Sequence, residues 1–194
     1  MSAPNPADFL HAPLPRVGDA WVFETRLPEK ARGVRLHHRV EAVQGDEIVT
    51  AVQGETGDAP VLRQGFDRQM NRRWREVEPG EALRYAPAFA LFRFPLVAGE
   101  TAWSLTVQQT QDGWPGSREV QIDARAVRIE TVSTPAGRFE AMRIEATHRA
   151  GDARIQTVYW YCPQVRRSVR GEEFTETPRG RSALIYELLR WQPA

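Results

Sequence analysis

Apolar and polar residues alternate along most of this chain. Val34, Leu36, His38, Val40 and Ala42 share one parity, and Arg35, His37, Arg39, Glu41 and Val43 share the other. A period of two sends successive side chains to opposite faces, so this run predicts a strand with one apolar and one mostly polar face. Gly45-Asp46 then turns the chain into Ile48, Thr50 and Val52, which predicts a hairpin. Between residues 61 and 76, arginines at 63, 68, 72, 73 and 75 interleave with Phe66, Met70 and Trp74. Two short strands joined near Asp67 are the preferred reading. An amphipathic helix is the alternative, because the three apolar residues recur every fourth position. Pro79-Gly80-Glu81-Ala82-Leu83-Arg84 predicts a short helix with proline near its first turn and Pro87 as its stop.

The second half predicts long strands at Ala102–Gln111, Ser117–Val132, Phe139–His148, Arg154–Cys162, Val165–Phe174 and Ser182–Trp191. In the second of these, Val120, Ile122, Ala124 and Ala126 share a parity that flips at Val127 and Ile129. A slip of one residue moves every side chain to the other face, so a β-bulge is predicted at Ala126/Val127. Thr134-Pro135-Ala136-Gly137, Gly151-Asp152 and Pro163-Gln164 are the turns. The fold class is therefore mainly all-β: a curved antiparallel sheet or half-open β-barrel with one or two short helices. Residues 1–16, with four prolines and no period, read as a loose N-terminal arm, and 17–194 as a single antiparallel domain.

Composition narrows the partners. Twenty-six basic residues face 25 acidic ones, for a net charge of +1, which removes the electrostatic case for nucleic acid. No stretch approaches the ~18 apolar residues of a membrane-crossing helix. Cys162 is the single cysteine, so no intrachain disulfide forms.

The chain is poor in catalytic patterns. His37 and His38 are adjacent on a strand and face opposite ways, so they cannot share a metal. His38, on the apolar face, reads as a hydrogen-bonded core histidine, with a ligand or base role as the alternative. Cys162 reads as a buried small hydrophobe. No nucleophile elbow, phosphate loop or dinucleotide fingerprint occurs. Neither a metal nor a cofactor is expected, and an enzymatic role is disfavoured. The residual signal is aromatic and basic. Tyr159 and Tyr161 share a face with Trp160 opposite, and Arg166 and Arg170 share a face with Ser168, with Arg167 opposite. Trp103, Tyr159, Trp160, Tyr161, Arg166, Arg170 and His38 are the candidate ligand-binding residues. Aromatic walls with an arginine rim suit an amphiphile with an anionic head.

Three elements carry a family resemblance: Phe94-Pro95-Leu96-x-x-Gly99-x-x-x-Trp103, Thr134-Pro135-Ala136-Gly137-x-Phe139-x-Ala141-x-x-Ile144, and Tyr159-Trp160-Tyr161-x-Pro163-x-Val165 with Val169-Arg170. Over residues 17–191 the chain resembles a group of uncharacterised, mostly exported bacterial β-proteins. These are similar in architecture to the half-barrel of outer-membrane lipoprotein carriers. The resemblance implies a periplasmic or envelope protein. The period-two strands, with apolar material on both faces near the aromatic run, favour a non-enzymatic protein that binds an apolar or amphiphilic small molecule or a lipidated partner in a sheet concavity. A true start at Met1, which lacks a basic head and apolar run, would instead imply the cytoplasm. Pairing with a partner through edge strands, and an enzyme built on His38 or a carboxylate pair, are the other readings.

Overall fold

A computed structural model describes residues 6–12, 14–30, 33–56 and 59–194. A short 3-10 turn, Pro6–Phe9, precedes twelve strands. These are β1 (Ala20–Arg26), β2 (Val34–Gln44), β3 (Glu47–Gly54), β4 (Leu62–Phe66), β5 (Arg72–Glu78) and β6 (Glu81–Phe89), followed by β7 (Ala102–Gln111), β8 (Arg118–Thr134), β9 (Gly137–Ala150), β10 (Ala153–Cys162), β11 (Arg167–Thr177) and β12 (Gly180–Gln192). Each strand pairs antiparallel with the next, and β1 pairs with both β2 and β12, so the sheet closes into a barrel.

Closure corrects the expected half-open barrel. It rests on Ala20–Arg26 pairing with Ile185–Gln192, residues from opposite ends of the chain. Among the described residues the closed order leaves no edge strand, so the edge-pairing mode of partner binding loses its template there. The expected short helices are also corrected: no α-helix occurs among the described residues. Gly80 takes φ +83°, which closes a tight turn after Pro79, and Ala82 and Leu83 are buried strand residues of β6. Pro87 lies beyond the last β6–β7 pair, Ala86↔Gln108, where no ladder donor is needed.

Residues paired across an antiparallel ladder face the same way. Phe89 of β6 meets His148 of β9 edge-on at 4.8 Å, although three strand boundaries separate them, which identifies the inner face. Trp21 and Phe23, His38 and Val40, Ile48 and Thr50, and Phe66 lie on that face and are buried. Burying each large apolar side chain stabilises the fold by about 1.5–3 kcal/mol. The bulge expected at Ala126/Val127 is present as a register shift between Ala126 and Arg128.

The two ends differ. One is plugged by the connection between β6 and β7: Phe92 and Leu96 are buried there beside Phe9, and Leu96 N–H donates to the Phe9 carbonyl. Phe92 N–H donates to Asn71 Oδ1 and Trp103 Nε1 to the Ala90 carbonyl, which fixes the plug. Asp19, fully buried, accepts from the Arg16 and Ala194 amides and from Arg166 Nη1, tying both ends of the chain to this floor. The opposite end carries the β1–β2, β3–β4, β5–β6, β7–β8, β9–β10 and β11–β12 connections. None of their described residues is buried, and Trp114 stands there 73% exposed.

Candidate functional site

Residues on the inner face of the barrel differ in how far they are buried. Val107, Val120, Ile122 and Ala124 on β7 and β8 are buried against the Phe89, His148 and Trp103 side. On the other side, Leu36, Val52, Leu62 and Leu184 also face inward by register, yet each keeps part of its surface accessible. All four lie in the half nearer the unplugged end.

Deeper in, Tyr159 of β10, Gly171 of β11 and Tyr186 of β12 form one row across three strands. A Cβ on Gly171 would sit 2.1 Å from the Tyr186 ring, so the missing side chain is what lets that ring lie flat on β11. The two phenol rings are 6.4 Å apart. Burial, followed by the Glu173 carboxylate, pushes the Tyr159 hydroxyl up to about 12, and burial pushes Tyr186 up as well. Both stay neutral hydrogen-bonding groups at physiological pH.

Below the tyrosines lie two arginines. The Arg167 guanidinium sits 5.2, 5.4 and 5.8 Å from the ring centres of Trp21, Phe23 and Phe66, which come from β1 and β4 across the interior. Its Nη2 is 3.2 Å from His38 Nδ1. Burial, with Arg167 and Arg72 behind it, holds His38 well below its ordinary value, so the ring is neutral. A guanidinium only donates, so Nδ1 is the acceptor and the ring proton sits on Nε2. Burial lowers Arg167 to about 10, and Arg72 adds to the lowering; the group remains a cation at neutral pH. Arg72, opposite Phe66 in the ladder and 6.0 Å over its ring, bears electrostatically on Arg167, His38, Tyr159 and Tyr186. Arg167 Nη1 and Arg72 Nε are buried with no hydrogen-bond partner. Among the described residues neither arginine has a carboxylate oxygen within 4.0 Å. By contrast Arg143, Arg166 and Arg170, also half-buried, are all ion-paired.

The residues singled out in the sequence do not form one site. His38 and Tyr159 face the interior by register. Tyr161 faces inward but packs on the plug, 4.9 Å from Phe92 and 5.4 Å from Phe94, and Trp103 is buried beside it. Trp160 lies on the outer face, where Nε1 donates to Glu130 Oε1 at 2.6 Å and Arg143 and Arg170 flank the ring at 5.8 and 5.4 Å. Arg170 pairs with Glu172 and Glu187 there. Arg166, at φ +59° in the turn before β11, pairs with Asp19 at 2.7 Å. Arg166, Ser168 and Arg170 were expected on one face with Arg167 opposite. Arg167 does lie opposite Arg170, reaching the inner rings while Arg170 stays outside, but the ladder skips Val169 and pairs Ser168 with inward-facing Tyr161, which separates Ser168 from Arg170. Arg72, Arg167 and Tyr186 are the interior polar groups that the sequence did not single out.

Two hollows lie elsewhere. One of about 600 Å³ sits over β7–β10, and its charges are spent on each other: Ser104 and Arg149 on Asp123, and Arg125 on Glu145. The other, about 590 Å³, lies at the plugged end between Leu10, Leu14, Arg68 and Phe94. Among the described residues no group of three or more His, Cys, Asp or Glu converges to hold a metal ion, and no helix is long and apolar enough to cross a membrane.

No protein-family model and no curated protein matches the chain. Solved structures share its fold. A "putative exported protein" with YmcC-like fold from Bacteroides fragilis superposes with a TM-score of 0.59 at 16% identity, covering 92% of this chain and 97% of its own. A "putative lipoprotein" from Parabacteroides distasonis gives 0.56 at 13% identity over 95% and 98%. The hypothetical lipoprotein YmcC from Escherichia coli gives 0.51 at 10% identity over 92% and 87%.

Proposed function

We propose that this protein is a non-enzymatic binding protein of the bacterial envelope that holds an apolar or amphiphilic molecule inside its barrel. The observation that carries this reading is the half-accessible apolar inner wall of Leu36, Val52, Leu62 and Leu184 below an unplugged rim. A protein folded only for stability closes such a wall, because leaving inward Leu and Val side chains wet forfeits their burial energy. Ligand pockets are typically concave and mostly apolar with a few placed polar groups, which is the composition of this interior. The compartment rests on likeness of fold to proteins described as exported or lipoprotein.

The test is a fluorescence titration with the uncharged probe N-phenyl-1-naphthylamine, alongside native mass spectrometry of the protein isolated from its source cells. Saturable one-to-one uptake is expected, weakened about tenfold or more by Leu62→Arg, which places a charge in the entrance. Unsaturable uptake, or equal uptake by the variant, refutes the reading.

A further inference from the structure

We propose that Arg72 and Arg167 form a receptor for the anionic headgroup of the ligand, a carboxylate or a phosphate monoester, bound head-down with its chain running past Tyr159 and Tyr186 to the open end. This rests on the barrel interior being the binding space.

Two like charges face each other across the bottom of that space, and Arg72 bears on Arg167. Leaving a cation inside a fold without a counter-charge is destabilising, and proteins pair such groups or replace them with apolar ones. Several other half-buried arginines are paired: Arg26 with Glu187, Arg166 with Asp19, Arg170 with Glu172 and Glu187, Arg143 with Glu145. Buried guanidinium N–H groups without a partner remain on Arg167 Nη1 and Arg72 Nε inside and on Arg143 Nε and Arg170 Nε outside, but the outer two arginines have carboxylates at hand and, among the described residues, the inner two have none. Glu173, which faces inward near Tyr159, lies outside ion-pair distance of both.

The surroundings hold the donors in place for an incoming anion. The rings of Trp21, Phe23 and Phe66 bracket the Arg167 guanidinium, and His38 Nδ1 accepts from its Nη2, which turns Nη1 away from the histidine. His38 supplies no negative charge, so the pair keeps its full demand for one. Thr50, buried on the same inner face and opposite Gln64 in the ladder, has a hydroxyl with no partner, as does the Gln64 amide oxygen. Gln64 precedes Phe66 by two residues on that face, so these polar groups border the arginine pair. Guanidinium forks bind carboxylate and phosphate with two parallel hydrogen bonds and discriminate strongly against uncharged heads. The tyrosine hydroxyls above, both neutral, give the first polar rungs for a chain leaving the headgroup.

Calorimetric titrations with dodecanoate, dodecyl phosphate and dodecanol test this, on wild type, Arg72→Gln, Arg167→Gln, Arg167→Lys and the outer-face control Arg170→Gln. The anionic probes are expected to bind about tenfold or more tightly than dodecanol, as charge-assisted hydrogen bonds require. Either Gln variant removes that preference and leaves dodecanol unchanged, Arg167→Lys loses part of it, and Arg170→Gln keeps it. The tighter of the two anions names the headgroup. Equal affinity for all three probes, or a preference that survives both Gln variants, overturns the headgroup receptor and leaves the apolar container standing. If no probe binds, both readings fall. Arg167→Lys and Arg72→Gln keep the test decisive if Arg167→Gln does not fold.

Discussion

His148 offers a quantitative check on the packed side of the barrel. It stands on β9 between Ile122 and Ile155 in the ladder, with Phe89 edge-on at 4.8 Å, and its Nε2 has no partner. Burial alone lowers its pKa from 6.5 to about 4, with no charged neighbour contributing. The folded state therefore refuses a proton that the unfolded chain accepts. With the folded value below the unfolded one, the neutral fold is fully favoured above pH 6.5, and that stability is lost as pH falls from 6.5 to about 4. The full loss is about 3 kcal/mol, and about 2 kcal/mol of it has gone by pH 5. His148→Leu removes the titration and leaves no orphaned nitrogen, so it is tolerated at pH 7.5. Urea unfolding of both proteins at pH 7.5 and 5.0 measures the difference. Wild type should lose about 2 kcal/mol more than the variant across that interval, while His38, lowered in the same direction in both, cancels. If both proteins lose the same amount, the ring is hydrated or paired in solution, and its assignment to a dry core fails.

Asp19→Ala should lower stability by about 3 kcal/mol in chemical denaturation, because it strands Arg166 together with the Arg16 and Ala194 amides. Asp19→Asn should lose less, since it keeps an acceptor. Gly171→Ala drives the Tyr186 ring off β11, and should cost about 1–3 kcal/mol in thermal unfolding with a changed near-ultraviolet tyrosine signal. An unchanged melting temperature would mean the ring is not seated there. Cys162 is buried and burial pushes its thiol up, so it should resist Ellman's reagent at pH 7.5 in the native protein and react fully in urea. Rapid native labelling would place the end of β10 at the surface.

Much of the strand grammar was legible because strands such as β2, β7 and β8 have a distinct apolar parity. The Ala126/Val127 flip was readable for the same reason: Val120–Ala126 and Val127–Ile129 are patterned on both sides of the slip. The β11 bulge was not. Arg166, Arg167 and Arg170 occupy both parities around Ser168 and Val169, so no alternation marks the slip, and the skipped residue appears only in the Trp160↔Arg170 and Tyr161↔Ser168 pairs. Pro79-Gly80 imitates a helix start because proline suits the first position of both a turn and a helix. Closure was illegible because β1 and β12 meet from the two ends of the chain, and no local pattern encodes a partner so distant. Tyr186 escaped notice for a related reason: its importance lies in the side chain that Gly171 lacks on another strand.

Arginine is where the sequence was least informative and the structure most. Twenty-five of the 26 basic residues are arginine, and parity alone, which sets Arg167 opposite Arg166 and Arg170, does not say which face is the inner one. What separates them is the company each keeps. The outer and floor arginines sit against carboxylates, as expected of groups that fasten a fold. Arg72 and Arg167 sit against aromatic rings and a neutral histidine, with donors left over. Methionine or leucine among Trp21, Phe23 and Phe66 would hold the floor of the barrel at least as well, since an unpaired buried cation is a net burden on stability. In a fold that pairs so many of its arginines, these two inward-facing ones without a carboxylate are what the proposed anionic headgroup would neutralise.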